Sequence, residues 1–364
     1  MKLLFITQNE APFRMKWMDE LAKYMNVTVY HLSEYENNIN KKYINYHTQK
    51  AITEDISKKF FNKKVYKLSK ILRNNYDILL LDGYGFFAQQ ILIIVLFLFR
   101  KEFGLSIDGG FIPKQESFIK KRFKSFFISH ASFYFSTSRD TDNYLIYYGA
   151  KKENIHRHYF SNIAINDLID APVSIEKKKI IREELGLENK FTIIGVGQII
   201  YRKGFDILLE SIKSIDENIQ VLIIGSGDDQ KTLHMIDNDN RVNHIEFIEK
   251  KLLDKYYEAS DIFILPTRED VWGLVIGEAM AKGLPVITTN MCLAGKEIIK
   301  NGVNGYIFNF EDKEELKNII LKIMKNNLPI MGEQAIYMIK NYAIENATKR
   351  DYYVLKGLKI NEVL

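Results

Sequence analysis

Short apolar runs alternate with helical patterns along almost the whole chain, and turn residues separate them. This order is typical of repeated βα units around a parallel sheet. In the first half, the predicted strands are Leu3 to Thr7, Val27 to His31, Ile78 to Asp82, Phe103 to Ile107 and Phe133 to Ser136. In the second half, they are Phe191 to Val196, Gln220 to Ile224, Ile245 to Ile248, Ile262 to Pro266 and Val286 to Thr289.

Several of these strands contain continuous apolar runs, such as Ile78-Leu79-Leu80-Leu81 and Val221-Leu222-Ile223-Ile224. Such runs predict strands that are buried on both faces, with helices covering the sheet. The longest uncharged stretch, Gly83 to Phe99, is shorter than the roughly 20 apolar residues that span a bilayer. We therefore predict a buried helix there and no membrane span.

The pattern divides the chain into two halves of similar plan. A linker near Asp170 to Ser174 contains a proline and precedes a charged helical stretch that restarts the βα order. We predict an N-terminal domain over 1–172, a C-terminal domain over 173–343, and a final helix over 344–364 that packs back on the N-terminal domain. A chain of 364 residues is long enough for two domains.

Composition and charge narrow the range of functions. The single cysteine, Cys292, excludes a disulfide framework and a cysteine-rich metal site, and it favours a reducing, cytoplasmic location. The net charge is +5, but residues 1–170 carry 25 Lys and Arg against 17 Asp and Glu, whereas residues 171–364 carry 26 against 29. The basic half indicates either an anionic partner, such as a phospholipid surface, or only a soluble surface.

Residues suited to bind a ligand or take part in catalysis concentrate after the strands of the second half, which is where ligands bind on open α/β sheets. Gly197 belongs to a near match of the dinucleotide fingerprint, but Ile200 stands where the third glycine belongs, and Gly225-Ser226-Gly227 fails in the same way. What remains is Arg202 beside Lys203. The planar guanidinium of an arginine next to the ammonium group of a lysine is suited to bind a diphosphate.

A second motif runs from Leu265 to Thr288 and predicts a strand, an acidic loop, a helix and a turn into another strand. Gly273 allows backbone to approach a ligand, and the N–H groups at the start of the helix from Leu274 form an anion site. Glu278 lies four residues beyond Leu274 on the same helix face. A carboxylate in this place is suited to accept hydrogen bonds from sugar hydroxyls.

Together, these motifs resemble those of the retaining family 4 glycosyltransferases. The resemblance covers the second half of the chain and, more loosely, the first. It rests on Gly197 with Arg202-Lys203-Gly204, Gly225-Ser226-Gly227, Tyr256 to Pro266, Gly273 to Gly283 and Gly302-Val303-Asn304-Gly305. It implies the GT-B fold, in which two Rossmann-like, doubly wound parallel-sheet α/β domains face each other across a cleft.

The resemblance also implies a role for each donor-side residue. Arg202 and Lys203 would neutralise the donor diphosphate, and Glu278 would hold the ribose. Asp270 stands where the family has a glutamate, and we favour it by register over Glu269 for the contact with the transferred sugar. The implied donor site comprises Gly197, Arg202, Lys203, Gly225, Glu269, Asp270, Gly273, Leu274, Val275 and Glu278. No metal and no cofactor is predicted.

The acceptor binds the N-terminal domain in enzymes of this family. Asp108, followed by Gly109 and Gly110, stands near the point where many family members have a histidine. We predict that Asp108 faces the donor sugar or the acceptor, with a plain Asp-Gly turn as the alternative. Arg14 would meet an acceptor phosphate or merely cap a surface. The predicted catalytic residues are Arg202, Lys203, Asp270, Glu278 and Asp108.

Two segments combine basic and aromatic residues, Lys58 to Lys64 and Lys114 to Ser129. Such segments can lie on anionic membrane surfaces, although an apolar core face with a solvated basic face explains the pattern as well. Neither segment belongs to a nucleic-acid-binding motif, so we predict no nucleic-acid partner.

The resulting prediction is a cytoplasmic hexosyltransferase, peripheral on the inner face of the cell membrane. It would move a sugar from a nucleotide-diphosphate sugar, with retention, to a glycan or polyprenyl-linked oligosaccharide in capsule, lipopolysaccharide or exopolysaccharide assembly. One alternative is a nucleotide-sugar epimerase of GT-B fold, which would need no acceptor. The other is a non-catalytic glycosyltransferase-like subunit, which Asp270 in place of a glutamate favours and which intact Arg202 and Lys203 argue against.

Overall fold

Two parallel sheets organise the chain, and each belongs to its own unit. The computed structural model describes residues 1–8, 11–32, 50–55, 71–72, 76–215 and 218–361. The first unit consists of Met1–Asn162 together with Ile344–Leu364, and the second of Ile163–Ala343. The predicted boundary at residue 172 therefore falls inside the second unit.

The sheet of the first unit has seven strands among the described residues, in the order β3-β2-β1-β4-β5-β6-β7, and all neighbours are parallel. The strands are β1 Lys2–Thr7, β2 Asn26–His31, β3 Ile52–Asp55, β4 Ile78–Asp82, β5 Gly104–Ile107, β6 Phe133–Ser136 and β7 Ile155–Arg157. The helices between them are α1 Pro12–Leu21, α2 Phe87–Leu98, α3 Phe118–Ser129 and α4 Arg139–Tyr147.

The sheet of the second unit has six strands among the described residues, in the order β10-β9-β8-β11-β12-β13, again all parallel. The strands are β8 Phe191–Val196, β9 Ile219–Ile224, β10 Val242–Ile245, β11 Ile262–Leu265, β12 Val286–Thr289 and β13 Gly305–Phe308. The helices are α5 Ile175–Glu184, α6 Phe205–Ile212, α7 Gln230–Asp237, α8 Lys250–Ala259, α9 Leu274–Ala281, α10 Leu293–Ile298, α11 Lys313–Met324 and α12 Leu328–Lys340.

The last helix, α13 Ile344–Asn361, belongs to the first unit and packs against α1. The rings of Tyr24 and Tyr352 stack with their centroids 5.3 Å apart. His158, which follows β7, places its Nδ1 2.9 Å from the Oδ2 of Asp351, and both side chains are buried. The first unit therefore consists of two separate segments of the chain, and the second of these, α13, follows the second unit in the sequence.

Each sheet has a point at which the direction of winding reverses. From β1 the chain winds outward through β2 and β3, whereas from β4 it winds the other way, and β8 and β11 form the matching pair in the second unit. The loops after two such strands diverge and leave a crevice at the carboxyl edge of the sheet, which is where ligands bind in doubly wound folds. The fold class predicted from the alternating pattern is confirmed.

Differences from the predicted strands occur at the sheet edges. The strand predicted at Ile245 to Ile248 was wrong in position, because β10 occupies Val242–Ile245. The edge strands β3, β7 and β13 were not predicted. β3 (ITED) and β7 (IHR) lack the continuous apolar run that marks a buried central strand, whereas β13 (GYIF) is apolar and mostly buried and was missed all the same.

The helix predicted between Gly83 and Phe99 is present as α2, but it is buried on one face only. Within α2, Leu92, Ile93 and Leu96 pack into the core, but Phe87 on the other side is 77% exposed. The helix covers the sheet with one face, and nothing in the described part of the chain buries the opposite face. None of the helices in these residues has the length and hydropathy that crossing a bilayer requires.

Candidate functional site

The crevice of the second unit lies between the loops that follow β8 and β11. Glycines bring these loops close to their neighbours. A Cβ on Gly225, after β9, would lie 1.9 Å from the carbonyl oxygen of Gly197, after β8. Gly204 has a φ of +68°, and a Cβ there would lie 2.1 Å from the carbonyl oxygen of Pro266, after β11. The loops that surround the crevice can therefore pack in this way only with glycine at these two positions.

Two cations and one carboxylate meet in this crevice. Lys203 Nζ lies 2.5 Å from Asp270 Oδ2, and Arg202 Nη1 lies 4.0 Å from Asp270 Oδ1. Asp270 is held in turn by the loop after β12, because its backbone N–H donates to the carbonyl of Met291 over 3.0 Å. The structure thus brings together three of the residues predicted for the donor site, although they lie on two separate loops.

Glu269, the alternative to Asp270, is placed differently. Its side chain is exposed, and its backbone carbonyl accepts a hydrogen bond from Arg202 Nη1 over 2.8 Å. Asp270 is mostly buried and forms the ion pair with Lys203. Asp270, rather than Glu269, therefore makes the electrostatic contact with Lys203 and Arg202.

Arg268 holds the turn that carries the two cations, a role that sequence reasoning missed. Its guanidinium donates to both carboxylate oxygens of Asp206 in α6, over 2.9 and 2.8 Å, and to the carbonyl of Tyr201 over 2.6 Å. Its backbone N–H donates to the carbonyl of Arg202 over 2.8 Å. Burial alone would raise the pKa of Asp206, but the hydrogen bonds from Arg268 lower it below its ordinary value. No sequence pattern marks this pairing, since the two residues lie far apart in the chain.

The start of α9 supplies the other half of the predicted donor site. Gly273 precedes the helix with a φ of +84°, and Leu274 and Val275 form its half-buried first turn. The N–H groups of a first helical turn have no partner within the helix and attract anions. Glu278 lies one turn further on, and the hydroxyl of Tyr257 donates to its Oε2 over 3.3 Å. Burial and this carboxylate raise the pKa of Tyr257 well above its ordinary value, so the phenol stays protonated.

The crevice of the first unit contains a second ion-pair cluster. Arg14 Nη2, at the start of α1, lies 2.9 Å from Asp82 Oδ1 at the end of β4 and 2.5 Å from Asp108 Oδ2 after β5. The Thr7 hydroxyl at the end of β1 donates to Asp82 Oδ2 over 2.7 Å. Burial raises the pKa of Asp82 to about 7 against the opposing effect of Arg14. The predicted residues Arg14 and Asp108 therefore share a site with Asp82.

Asp82 was not among the predicted site residues. The available signal was its position as the last residue of an apolar strand, at the carboxyl edge of the sheet. Gly109 is half-buried beside Asp108. Gly110 has a packing role as well, because a Cβ there would lie 2.6 Å from the ring of Tyr144.

Of the two basic and aromatic segments, Lys58 to Lys64 lies outside the described residues. The other contains α3. Within the ranges that the structure describes, no group of three or more His, Cys, Asp or Glu side chains is arranged to hold a metal ion.

Comparisons with known proteins relate this geometry to a family. Residues 177–345 match the family model described as Glycosyl transferases group 1. An uncharacterized glycosyltransferase of Haemophilus influenzae is 34% identical over 170 residues, which are 44% of this chain and 47% of that protein. The alpha-monoglucosyldiacylglycerol synthase of Acholeplasma laidlawii is 26% identical over 195 residues, which are 51% of this chain and 48% of that protein. The chain spans about half the length of these curated relatives.

Solved structures extend the likeness to the whole chain. The crystal structure of HepE from Anabaena in complex with UDP superposes with a TM-score of 0.80, covering 98% of this chain and 100% of that one. The two sequences are 19% identical, so the match establishes the fold alone. Residues 177–345 are therefore similar to a Glycosyl transferases group 1 domain, and the whole chain has the two-domain GT-B fold.

Proposed function

We propose that this protein is a glycosyltransferase that moves a hexose from a nucleoside-diphosphate sugar, with retention, to a glycan or lipid-linked oligosaccharide acceptor. The observation that carries the proposal is the cluster of Arg202, Lys203 and Asp270 at the switch point of a unit that is similar to a Glycosyl transferases group 1 domain. The HepE structure contains UDP, so a UDP-sugar is the first donor to test.

The cations fit the charge that develops during sugar transfer. Cleavage of the bond between the sugar and the diphosphate leaves positive charge on the sugar and negative charge on the departing diphosphate. Lys203 and Arg202 already lie at the crevice, so they can stabilise that negative charge once the bound diphosphate has displaced Asp270 from Lys203. The N–H groups of Leu274 and Val275 would contribute to the same stabilisation.

Asp270 and Glu278 would then bind hydroxyl groups. A bound diphosphate competes with Asp270 for the Lys203 ammonium, and the carboxylate released from that ion pair can accept hydrogen bonds from the transferred sugar. Glu278 lies one helical turn beyond the anion-binding start of α9, at a distance that suits the ribose. Tyr257 orients the Glu278 carboxylate for this contact.

The acceptor would bind in the first unit. Its switch point carries Arg14 between two carboxylates, and Asp108 is the more exposed of the two, with 21% of its side chain accessible against 6% for Asp82. Asp108 would therefore accept a hydrogen bond from an acceptor hydroxyl, whereas Asp82 positions Arg14. The Acholeplasma laidlawii relative is a monoglucosyldiacylglycerol synthase, which supports a lipid-linked acceptor. The family resemblance and the basic first half support a cytoplasmic role in surface polysaccharide assembly.

The experiment begins with a thermal-shift panel of nucleoside diphosphates and their sugars, since a ligand of the folded state raises its apparent stability. The donor that gives the largest shift is then incubated with the protein, and the release of nucleoside diphosphate and free sugar is followed. We expect slow donor hydrolysis that glycan or lipid-linked acceptors accelerate. Release of an epimerised sugar would indicate an epimerase, and binding without any turnover would indicate a non-catalytic subunit. A panel without any shift would overturn the proposed donor site.

A further inference from the structure

Helix α2 is apolar on both of its faces. Its sequence, FAQQILIIVLFL, has no charged residue. Leu92, Ile93 and Leu96 pack into the core, whereas Phe87 and Leu98 are largely exposed. A helix that is apolar all round lies in a protein core or in a lipid environment. At 12 residues, α2 is about 18 Å long, far short of the roughly 30 Å of a bilayer core.

Helix α3 extends the same exposed surface. It packs against α2 through Phe97 and Phe126, whose ring centroids lie 5.4 Å apart. On its outer side, Phe118 is 72% exposed and Ile119 is 80% exposed. Phe123 is exposed as well. The exposed apolar side chains of the two helices, with the two phenylalanines that flank α2, form what we call the α2–α3 face, which comprises Phe86, Phe87, Ile91, Ile94, Phe97, Leu98, Phe99, Phe118, Ile119 and Phe123.

Basic residues accompany these apolar side chains. Residues 83–130 contain seven Lys and Arg against three Asp and Glu. Two of the three acidic side chains are already paired, Glu116 with Lys124 at 2.7 Å and Asp108 with Arg14 at 2.5 Å. Lys120 and Arg122 are exposed on α3 between the apolar positions. The α2–α3 face therefore combines exposed apolar side chains with an excess of positive charge.

We propose that the α2–α3 face docks on an anionic lipid bilayer, with Phe118 and Ile119 inserted at the level of the headgroups and with Lys120 and Arg122 bound to lipid phosphates. Interfacial helices of this composition bury their apolar face about 5–10 Å into the boundary between headgroups and acyl chains. The basic residues argue for anionic lipid as the occupant, because they attract anionic headgroups, repel a basic partner and gain no charge–charge attraction from a neutral one. The proposal involves no nucleotide or sugar and therefore stands apart from the proposed activity.

Flotation with phospholipid vesicles tests the proposal. Vesicles of phosphatidylcholine with phosphatidylglycerol should recover the protein, and vesicles of phosphatidylcholine alone should recover much less. Raising the salt concentration from about 0.1 M to about 1 M shortens the Debye length from about 10 Å to about 3 Å and should weaken recovery. The assay contains no nucleotide sugar, so its failure and a failure of glycosyl transfer are distinguishable.

The apolar contribution is tested with the double variant Phe118→Ser and Ile119→Ser. Burial of one large apolar side chain is equivalent to about tenfold or more in binding, so we expect vesicle affinity to fall about 100-fold. The matched control is Ile175→Ser with Ile180→Ser, since both of these isoleucines are exposed on α5 of the second unit. The control should bind vesicles like the wild type.

The electrostatic contribution is tested with Lys120→Glu and Arg122→Glu. One cation near an anionic surface contributes about fivefold, so removing two should lower the affinity at least about 25-fold. Lys177→Glu with Lys179→Glu, which are exposed on α5, provides the control. This pair of variants also keeps the test decisive if the serine substitutions impair folding.

Three outcomes would overturn the proposal. One is equal recovery with and without phosphatidylglycerol, and another is equal loss of binding in the α5 controls. The third is a concentration-dependent dimer that the α3 serine variant abolishes while vesicle binding stays absent. That last result would show that a second copy of this chain covers the α2–α3 face.

Discussion

Replacement of Lys203 by alanine is the most direct test of the donor site. The substitution removes one ammonium group from a crevice in which the side chains of Lys203 and Asp270 are only 14% and 11% exposed. Arg202 remains, but its nearest nitrogen lies 4.0 Å from the carboxylate, and its side chain is 43% exposed. The variant therefore lacks the better shielded of the two cations.

The expected loss of activity follows from the position of this charge. Two unit charges 4 Å apart interact by about 4 kcal/mol where the effective dielectric constant is about 20. Only the part of this interaction that grows as the diphosphate departs lowers the barrier. Removing one preorganised donor typically costs about 10²–10³ in rate, or about 3–4 kcal/mol, and we expect Lys203→Ala to fall in this range.

The assay is the initial rate of nucleoside diphosphate release, measured for wild type and variant with the same donor. Lys255→Ala is the matched control, since Lys255 also pairs with a carboxylate of the second unit, Glu184 at 3.2 Å, and this pair joins α8 to α5 without touching the residues of the crevice. Lys203→Ala leaves the mostly buried Asp270 without its close partner, so a lower melting temperature is expected too. Rates are therefore compared at a temperature at which circular dichroism shows both proteins folded.

A variant that turns over the donor within about threefold of the wild type would refute the reasoning, since that change is less than 1 kcal/mol. An equal fall in the Lys255→Ala control would attribute the loss to general destabilisation of the second unit. An intermediate control is Lys203→Arg, which keeps the charge but changes its shape and should retain more activity than alanine.

Two further predictions concern the crevices themselves. Gly225→Ala should destabilise the second unit by about 2 kcal/mol or more in urea denaturation, because its Cβ would lie 1.9 Å from the Gly197 carbonyl oxygen. Gly357→Ala is the contrasting variant: Gly357 lies within α13 of the first unit with open space around it, so alanine should raise stability by about 0.5–1 kcal/mol. Asp82, with a pKa raised from 3.8 to about 7, stabilises the folded state most near pH 4, and this contribution is lost as pH rises through about 7. The stability of the wild type relative to Asp82→Asn should therefore fall as pH rises over that interval, and a difference in urea denaturation that does not change with pH would contradict the assignment.

Much of the donor crevice was predictable from sequence. Lys203 and Asp270 each follow an apolar run that forms a strand, and parallel strands bring their carboxyl ends to one edge. By contrast, Arg268 turns from that edge to Asp206 in α6, and no local pattern records such a pairing. Glu269 and Asp270 are neighbours in sequence, so the difference between an exposed side chain and an ion-paired one depends on the path of the loop.

The sequence by itself determined the fold class, the central strands and the residues at their carboxyl ends, because burial on both faces of a sheet leaves a continuous apolar run in the chain. Only the tertiary structure decided the edge strands, the partnership of Arg14 with Asp82 and the return of α13 to the first unit. It also decided that α2 exposes one apolar face. These features depend on contacts between residues that are distant in the chain, and apolar periodicity records only that a side chain avoids water, not which neighbour covers it.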